Sequence, residues 1–519
     1  MKKRENVVTF LTRAYMLIAI VMFVFLFYNA LRYSWVNLDV DEECLSLTKD
    51  SVPQNILWLV AVAAVLHGLG RLIEGKLKRL NMDVFAVVVA LICTGISIYW
   101  VFASLTRPRF DQEYICLYAE QFNLGVCGAL HKGQYLAQCQ HQLGIVTVLR
   151  ALYKMFGQGN YVAYQIFSAV CVFVLVFAGY RIVMLVGGGN RRAGYYYLLL
   201  MLLCAPMYGY VPYVYGEIAS TALVMLSGWM LLSICHKFKW YKLIFLALGM
   251  GLAVQIRQNT LIVVIAFVIV LFLKCITDFG RQTIAVIGAV AIGVAGFQMM
   301  IAHIYAPLIA DDVENMPMIL YVAMGTSDID ERAGWFDKSN FDTFEQTGYD
   351  AGAASELGLE RIEEFAEYCR ENPSYMVDFY WRKLSTQWIA PMYQCLAMTA
   401  GFLGEPTGIA EKIYYGGLGD GINDVMNIYQ LFVYGSVLYL LVVRWKRCGR
   451  IENHVLLIAV LGGFFFSVIW EAKARYVFPY FMMMLPYAAM GAEQFDTDAA
   501  CAVKKCVIMK KNRDKGENK

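Results

Sequence analysis

With 519 residues, of which 59% are hydrophobic and only 16% charged, the chain lacks the polar surface of a water-soluble protein, in which about 25% of positions are charged. A net charge of +3 is close to neutral, so neither an acidic partner nor nucleic acid is implied. The 14 cysteines are scattered, many within apolar segments and none in a CxxC pair, as small apolar membrane residues would be. Composition thus predicts an all-α polytopic membrane protein embedded in a lipid bilayer.

In chain order, Lys2, Lys3 and Arg4 precede an apolar run from Ala14 to Leu31, which is long enough to span and lacks a small-residue cleavage site, so it reads as a first transmembrane helix. Further apolar segments at 55–73, 83–105, 160–186, 195–212, 217–235, 242–256, 259–275, 282–302, 427–444, 455–470 and 476–493 bring the expected number of crossings to about twelve. Glu74–Arg79, Arg191–Arg192, His236–Lys242, Arg444–Arg450 and the tail from Lys504 are basic, while alternate connections are not. An even number of crossings puts every basic segment, and both termini, on the cytoplasmic side of a plasma membrane.

Two connections are too long for turns, and both fall outside. The division expected is therefore helices one to three over 1–105, a first outer loop with interfacial helices over 106–159, helices four to nine over 160–302, a second outer loop over 303–426, helices ten to twelve over 427–493 and a basic tail over 494–519. Cys116, Cys127 and Cys139 share the first loop, which leaves a disulfide among them open. In the second loop, Ala351–Arg370 has helical spacing and good helix formers. Long loops are usually functional, so the chemistry is expected on the outer face.

Just after the third span come Pro108, Asp111 and Glu113. A carboxylate held at the membrane edge suits a general base for an acceptor hydroxyl, while acids capping the next helix are the plainer alternative. Tyr114–Gly125 reads as an amphipathic interfacial helix, followed by Gly133-Gln134-Tyr135, His141-Gln142-Leu143-Gly144 and an ending at Phe156-Gly157. Later, Glu217 opens a span after Tyr215-Gly216, Arg257-Gln258-Asn259 lies between two spans, and Glu471-Ala472-Lys473-Ala474-Arg475-Tyr476 precedes the last. His131 and His141 read as hydrogen-bonded loop residues rather than metal ligands, and HExxH and nucleotide-binding fingerprints are absent from the sequence.

In order and membrane side these segments resemble the GT-C glycosyltransferases, particularly the bacterial family 39 protein-mannosyltransferase-like and aminoarabinose-transferase-like enzymes. Ala219 replaces the usual proline of the Glu217 element, and Gln258 that of the Arg257 element. The resemblance implies a hexosyltransferase that takes a sugar from a polyprenyl phosphate, inverts it and passes it to an extracytoplasmic acceptor, whether glycan, lipid or protein, in polysaccharide biosynthesis of the cell envelope. It implies no cofactor and no metal. Asp111 would be the base and Glu113 would orient the acceptor or a nearby cation. Glu217, Arg257, Lys383, Glu471, Arg475 and Tyr476 would bind substrate. Arg257 could instead snorkel, and Lys383 and Trp388 could instead be interfacial anchors. Asp39, Asp41, Glu42 and Glu43, after the first helix, are a second candidate for the catalytic acid group. The alternative functions are a flippase or transporter, which would carry charges along its helices, and a non-catalytic assembly protein.

Overall fold

The computed structural model describes residues 2–75, 79–278, 280–402 and 404–516. Parts of the basic Glu74–Arg79 connection and the end of the basic tail therefore lie outside the described residues.

Helix α1 (Lys2–Arg32) leads into a hairpin of β1 (Tyr33–Val36) and β2 (Ser46–Lys49), then α2 (Val52–Gly75) and α3 (Met82–Ser104). The first long connection folds as α4 (Asp111–Asn123), α5 (Tyr135–Gln138) and α6 (Leu143–Phe156). Next are α7 (Tyr161–Val186), α8 (Arg191–Leu203), α9 (Ala205–Gly209), α10 (Glu217–His236), α11 (Tyr241–Ile256), α12 (Leu261–Thr277) and α13 (Arg281–Tyr305). The second connection holds α14 (Met318–Met324), the short hairpin β3 (Asp328–Ile329) and β4 (Arg332–Ala333), α15 (Ser339–Gln346), α16 (Ala351–Glu371), α17 (Pro373–Trp388), α18 (Cys395–Thr399) and α19 (Gly408–Tyr414). Helices α20 (Gly417–Arg444), α21 (Val455–Ile469) and α22 (Phe478–Gly516) close the chain.

Among the described residues, nine helices are long and apolar enough to cross a membrane: α1, α2, α3, α7, α10, α12, α13, α20 and α21. The remaining expected spans, 195–212, 242–256 and 476–493, fall on α8 with α9, on the 16-residue α11 and on the first half of α22. The protein is a polytopic α-helical membrane protein. Helix α22 packs against α7, α8, α20 and α21. Its apolar half is buried, with Phe478, Met482, Met484, Leu485 and Ala488 at 0% exposure. Lipid-facing side chains on α1, α2 and α13 stay exposed, as expected where the bilayer rather than protein covers them. Small residues set the closest helix approaches. A methyl group on Gly144 of α6 would lie 2.1 Å from the Gln255 carbonyl oxygen of α11, so only glycine lets the interfacial α6 rest on the bundle.

Both long connections cap the same end of the bundle. Arg107 donates its N–H to the Gly401 carbonyl (2.8 Å), and the Met316 N–H reaches the Gln138 carbonyl (3.1 Å). The Asp39–Glu43 acids form the tip of the β1–β2 hairpin at that end.

Candidate functional site

Helix α3 ends in a left-handed Leu105 (φ 49°), and α4 begins after another non-glycine residue of positive φ, Phe110 (φ 55°). Such conformations are strained, and surrounding contacts must hold them. Arg109 does so: its guanidinium covers the Phe110 ring at 4.1 Å and donates to the carbonyls of Val40 (3.4 Å), Ala400 (3.2 Å) and Asp41 (2.7 Å). The buried Gln112 amide donates to the Arg109 (3.1 Å) and Met398 (3.0 Å) carbonyls, while its oxygen accepts the Val214 N–H (2.8 Å). The first turn of α4 is thus fixed on two sides, and Asp111 projects from a rigid base. No side-chain cap bond forms at this helix start. The Asp111 carboxylate is turned to other partners.

Those partners come from distant parts of the chain. Tyr135, reached through the left-handed turn at Gly133 (φ 79°), donates its hydroxyl to Asp111 Oδ1 at 3.2 Å, and Gln142 Nε2 donates to that hydroxyl at 2.7 Å. Arg475, between α21 and α22, pairs through Nη2 with Asp111 Oδ2 at 3.3 Å and donates through Nη1 to the Tyr213 hydroxyl. Its guanidinium lies 5.2 Å from the Tyr476 ring centre and 5.6 Å from that of Tyr215, in cation–π contact. Arg475 Nε is buried with no hydrogen-bond partner among the described residues. Such orphan donors are rare, because each costs about 1–3 kcal/mol, and this one marks a place for an acceptor group.

Beside this pair lies a second. Glu217 opens α10, and its carboxylate forms an ion pair with Arg257, both side chains being buried. Gly216 permits it: a methyl there would lie 2.9 Å from Arg257 Cβ. Tyr476 bridges the two pairs, its ring 5.6 Å from the Arg257 guanidinium and its hydroxyl donating to Glu471 Oε2 at 2.9 Å. Lys473 meets Glu43 at 2.6 Å and Glu471 at 3.7 Å.

Arg257, Arg475, Tyr476, Tyr215, His141 and Gln142 wall a cavity of about 90 Å³. It shares His141, Gln258, Asn259 and Met318 with a cleft of about 600 Å³ between α12 and α13, lined largely by apolar side chains such as Leu261, Ile262, Ile301 and Phe466. A small cationic and aromatic chamber thus adjoins a larger oily one.

Burial pushes the Asp111 carboxyl up, but the charges of Arg475 and Lys473 and the hydrogen bonds from Arg475 and Tyr135 outweigh it and hold the group below the usual carboxylate range. It is ionised at neutral pH. Burial also pushes His141 down to about 4, with Asp111 only partly opposing, so this ring is neutral there. Among the described residues, no group of three or more His, Cys, Asp or Glu side chains is placed to hold a metal ion.

Of the residues singled out by sequence, Asp111, Glu217, Arg257, Glu471, Arg475 and Tyr476 come together here. Glu113 is exposed on α4, beyond the Asp111–Arg475 pair. Lys383 is buried in α17, its ammonium on the Gly325 carbonyl, and Trp388 is buried with Nε1 donating to Ser467 Oγ at 3.2 Å. Asp41 accepts from the Tyr415 hydroxyl (3.0 Å), and Glu43 joins the site through Lys473. Sequence reasoning missed Gln112, Tyr213 and Gln394, whose Oε1 accepts the Arg475 N–H at 3.3 Å. The Tyr213-Val214-Tyr215 alternation ahead of Glu217 was the one local signal for any of them.

The fold and this site define a membrane protein in which Asp111, Glu217, Arg257 and Arg475 gather where helices end. The sequence matches no family model and no curated protein. Among solved structures, the chain is similar to the archaeal oligosaccharyltransferase AglB from Archaeoglobus fulgidus, in complex with an inhibitory peptide and a dolichol-phosphate. The identity is 12% over 81% of this chain, with a TM-score of 0.40, and the chain spans about half (52%) of that protein's length.

Proposed function

We propose that the protein is an inverting glycosyltransferase that moves a sugar from a polyprenyl-phosphate donor to an acceptor on the outer face of the plasma membrane. The observation that carries this reading is the Asp111–Arg475 pair beside a cationic chamber that shares its wall with an apolar cleft. A prenyl-phosphate has the matching two parts, a charged head and a long apolar tail. The orphan Arg475 Nε supplies a donor for a phosphate oxygen, and Arg257 supplies a second guanidinium.

In the reaction, the acceptor oxygen attacks the anomeric carbon from the face opposite the phosphate. The bond from that carbon to the phosphate oxygen breaks, and its electron pair leaves with the lipid phosphate. Asp111 takes the acceptor proton, Glu113 orients the acceptor or a nearby cation, and Arg475 and Arg257 meet the charge that develops on the leaving phosphate. Tyr476 and Glu471 keep the guanidinium groups in place.

A flippase would string charges along its helices. Here Asp111, Glu217, Arg257 and Arg475 all sit at helix termini, which favours chemistry at the membrane surface. The test is direct. Purified protein in nanodiscs, given a polyprenyl-phosphate hexose and native membranes, should release polyprenyl phosphate in step with hexose transfer. Translocation of intact donor without release would overturn the reading.

A further inference from the structure

A separate cavity of about 430 Å³ lies at the same end of the bundle, between the β1–β2 hairpin, the segment 390–397 and the turn from α19 into α20. Its size is within the range of small-molecule sites, about 300–1,000 Å³. Asp39, Asp50, Asp420 and Asp424 line it, and among the described residues Lys, Arg and His contribute nothing to its wall. Those carboxylates do not converge on a point, because the described residues hold no group of three acids placed around one ion. They are spread over a wall that also carries the rings of Trp35 and Tyr415. A wall of separated acceptors and aromatic rings suits an extended ligand with many hydroxyl donors and apolar C–H faces.

Three further features point to a ligand. Asn37 Oδ1 is a buried acceptor without a partner, its Nδ2 being committed to the carbonyls of Glu42 (2.9 Å) and Cys44 (2.7 Å). Among the described residues, Asp420 and Asp424 make no ion pair or side-chain hydrogen bond, although both stand on the first turns of α20. Tyr393 (φ 50°) and Gln394 (φ 64°) are successive non-glycine residues in the left-handed region, a costly conformation that is retained where geometry matters. This strain places Gln394 in the partition between the two sites. Gln394 borders the cavity, and its side chain donates to the Glu43 carbonyl at 2.7 Å and accepts from Arg475 N–H.

We infer that this cavity holds the acceptor, and that the acceptor is an oligosaccharide of neutral or amino sugars. The inference rests on the transferase reading above and assigns its acceptor class. Carboxylates accept paired hydrogen bonds from vicinal hydroxyls or bind an ammonium, whereas an anionic sugar would meet only like charge and no compensating cation. Aromatic rings bury the C–H face of a pyranose. The glycan end would pass Gln394 to reach Asp111.

The test uses the full-length protein in nanodiscs and calorimetric titration with neutral tetrasaccharides of several linkages, a glucosamine tetramer and tetragalacturonate. The neutral and amino tetramers should saturate at millimolar concentration or below, and tetragalacturonate should bind at least tenfold more weakly. Because Asp420 and Asp424 are exposed and unpaired, the double variant Asp420→Asn/Asp424→Asn should fold normally and weaken the neutral and amino tetramers about tenfold. Equal binding of tetragalacturonate, wild-type binding by the double variant, or no saturation by any tetrasaccharide would overturn the inference. Donor turnover separates the two claims. Turnover without saccharide binding removes the acceptor site and leaves the transferase, whereas saccharide binding without turnover does the reverse.

Discussion

Replacing Asp111 by Asn tests the proposed chemistry at a single atom. The change keeps size and planarity but not basicity. Its local cost can be worked from the two bonds involved. Tyr135 donates to Oδ1 at 3.2 Å and Arg475 donates to Oδ2 at 3.3 Å, so an Asn amide keeps its oxygen on Arg475 only by turning its NH₂ to Tyr135, whose hydroxyl must then accept instead of donate. The Asp111 side chain is 35% exposed, which screens the lost pairing, but the Arg475 side chain is 6% exposed, so the cost should be about 1–3 kcal/mol of stability. Turnover should fall far more, by the ~10²–10⁴-fold typical of general-base assistance. In the polyprenyl-phosphate release assay kcat should drop by that factor, while the donor KM stays within a few-fold because both guanidinium groups remain. Asp41→Asn, whose carboxylate accepts from the Tyr415 hydroxyl and stands outside the Asp111–Arg475 pair, should stay near wild type, and Glu113→Gln should raise the acceptor KM more than it lowers kcat. Retention of more than a tenth of wild-type turnover by Asp111→Asn would refute the assignment.

Arg475→Gln should raise the donor KM by roughly 10- to 150-fold, the equivalent of one charge-assisted contact of about 1.5–3 kcal/mol. It should also move the acid limb of kcat/KM upward, because Arg475 is the leading influence holding the Asp111 carboxyl down against burial. Unmoved pH profiles would show that Asp111 does not govern that limb. For the buried Arg257–Glu217 pair, Glu217→Gln alone should lower Tm sharply, since an unpaired buried charge costs about 3–5 kcal/mol, whereas Glu217→Leu/Arg257→Met should recover Tm without recovering donor use. Equal Tm loss in the single and double variants would contradict this. On topology, cysteine introduced at the exposed Glu360 should react with an impermeant reagent in intact cells and cysteine at Lys239 should not; the reverse pattern would put Asp111 on the cytoplasmic side.

Much of the architecture was readable because lipid imposes a one-dimensional rule: a span needs about 20 apolar residues, and its ends are marked by charge. That rule places Asp111, Glu217, Arg257 and Arg475 at helix ends, and ends on one side must meet when the bundle closes. The helix over 351–371 was legible for a different reason, its period and its strong helix formers. What remained hidden is whatever depends on contacts between segments far apart in sequence. Gln112 holds Met398, Gln394 holds Arg475 and Arg109 holds Ala400, and no local pattern marks an amide or guanidinium that will spend its bonds on remote backbone groups. The β1–β2 hairpin escaped for the same reason. Its four-residue strands are too short for alternation to register, and the strain at Phe110 and at Tyr393–Gln394 falls on residues that favour no left-handed backbone.

Lys383 shows the same divergence and yields a prediction of its own. It stands in α17 at 1% exposure, with its ammonium on the Gly325 carbonyl. Gly325 to Gly334 forms the short β3–β4 turn, and the Gly334 carbonyl accepts the Ala472 N–H at 2.7 Å, beside Lys473. Lys383 therefore positions the Glu471–Arg475 connector from behind rather than from within the chamber. Burial pushes its amine down to about 7 from an ordinary 10.5, with Glu471 partly opposing. Between those values the unfolded chain keeps a proton that the folded chain has released, so stability must rise with pH across that interval and lose this increment as pH falls back toward 7. The slope from one such group cannot exceed about 1.4 kcal/mol per pH unit. Thermal unfolding in detergent from pH 7 to 10 should therefore show wild-type Tm climbing relative to Lys383→Met, which carries no titrating group at that position. The variant, with the same length and no amine, should also raise the donor KM modestly by loosening the connector. Parallel Tm curves for the two proteins would mean that Lys383 stays charged where it is buried, and would require a carboxylate nearer to it than Glu471.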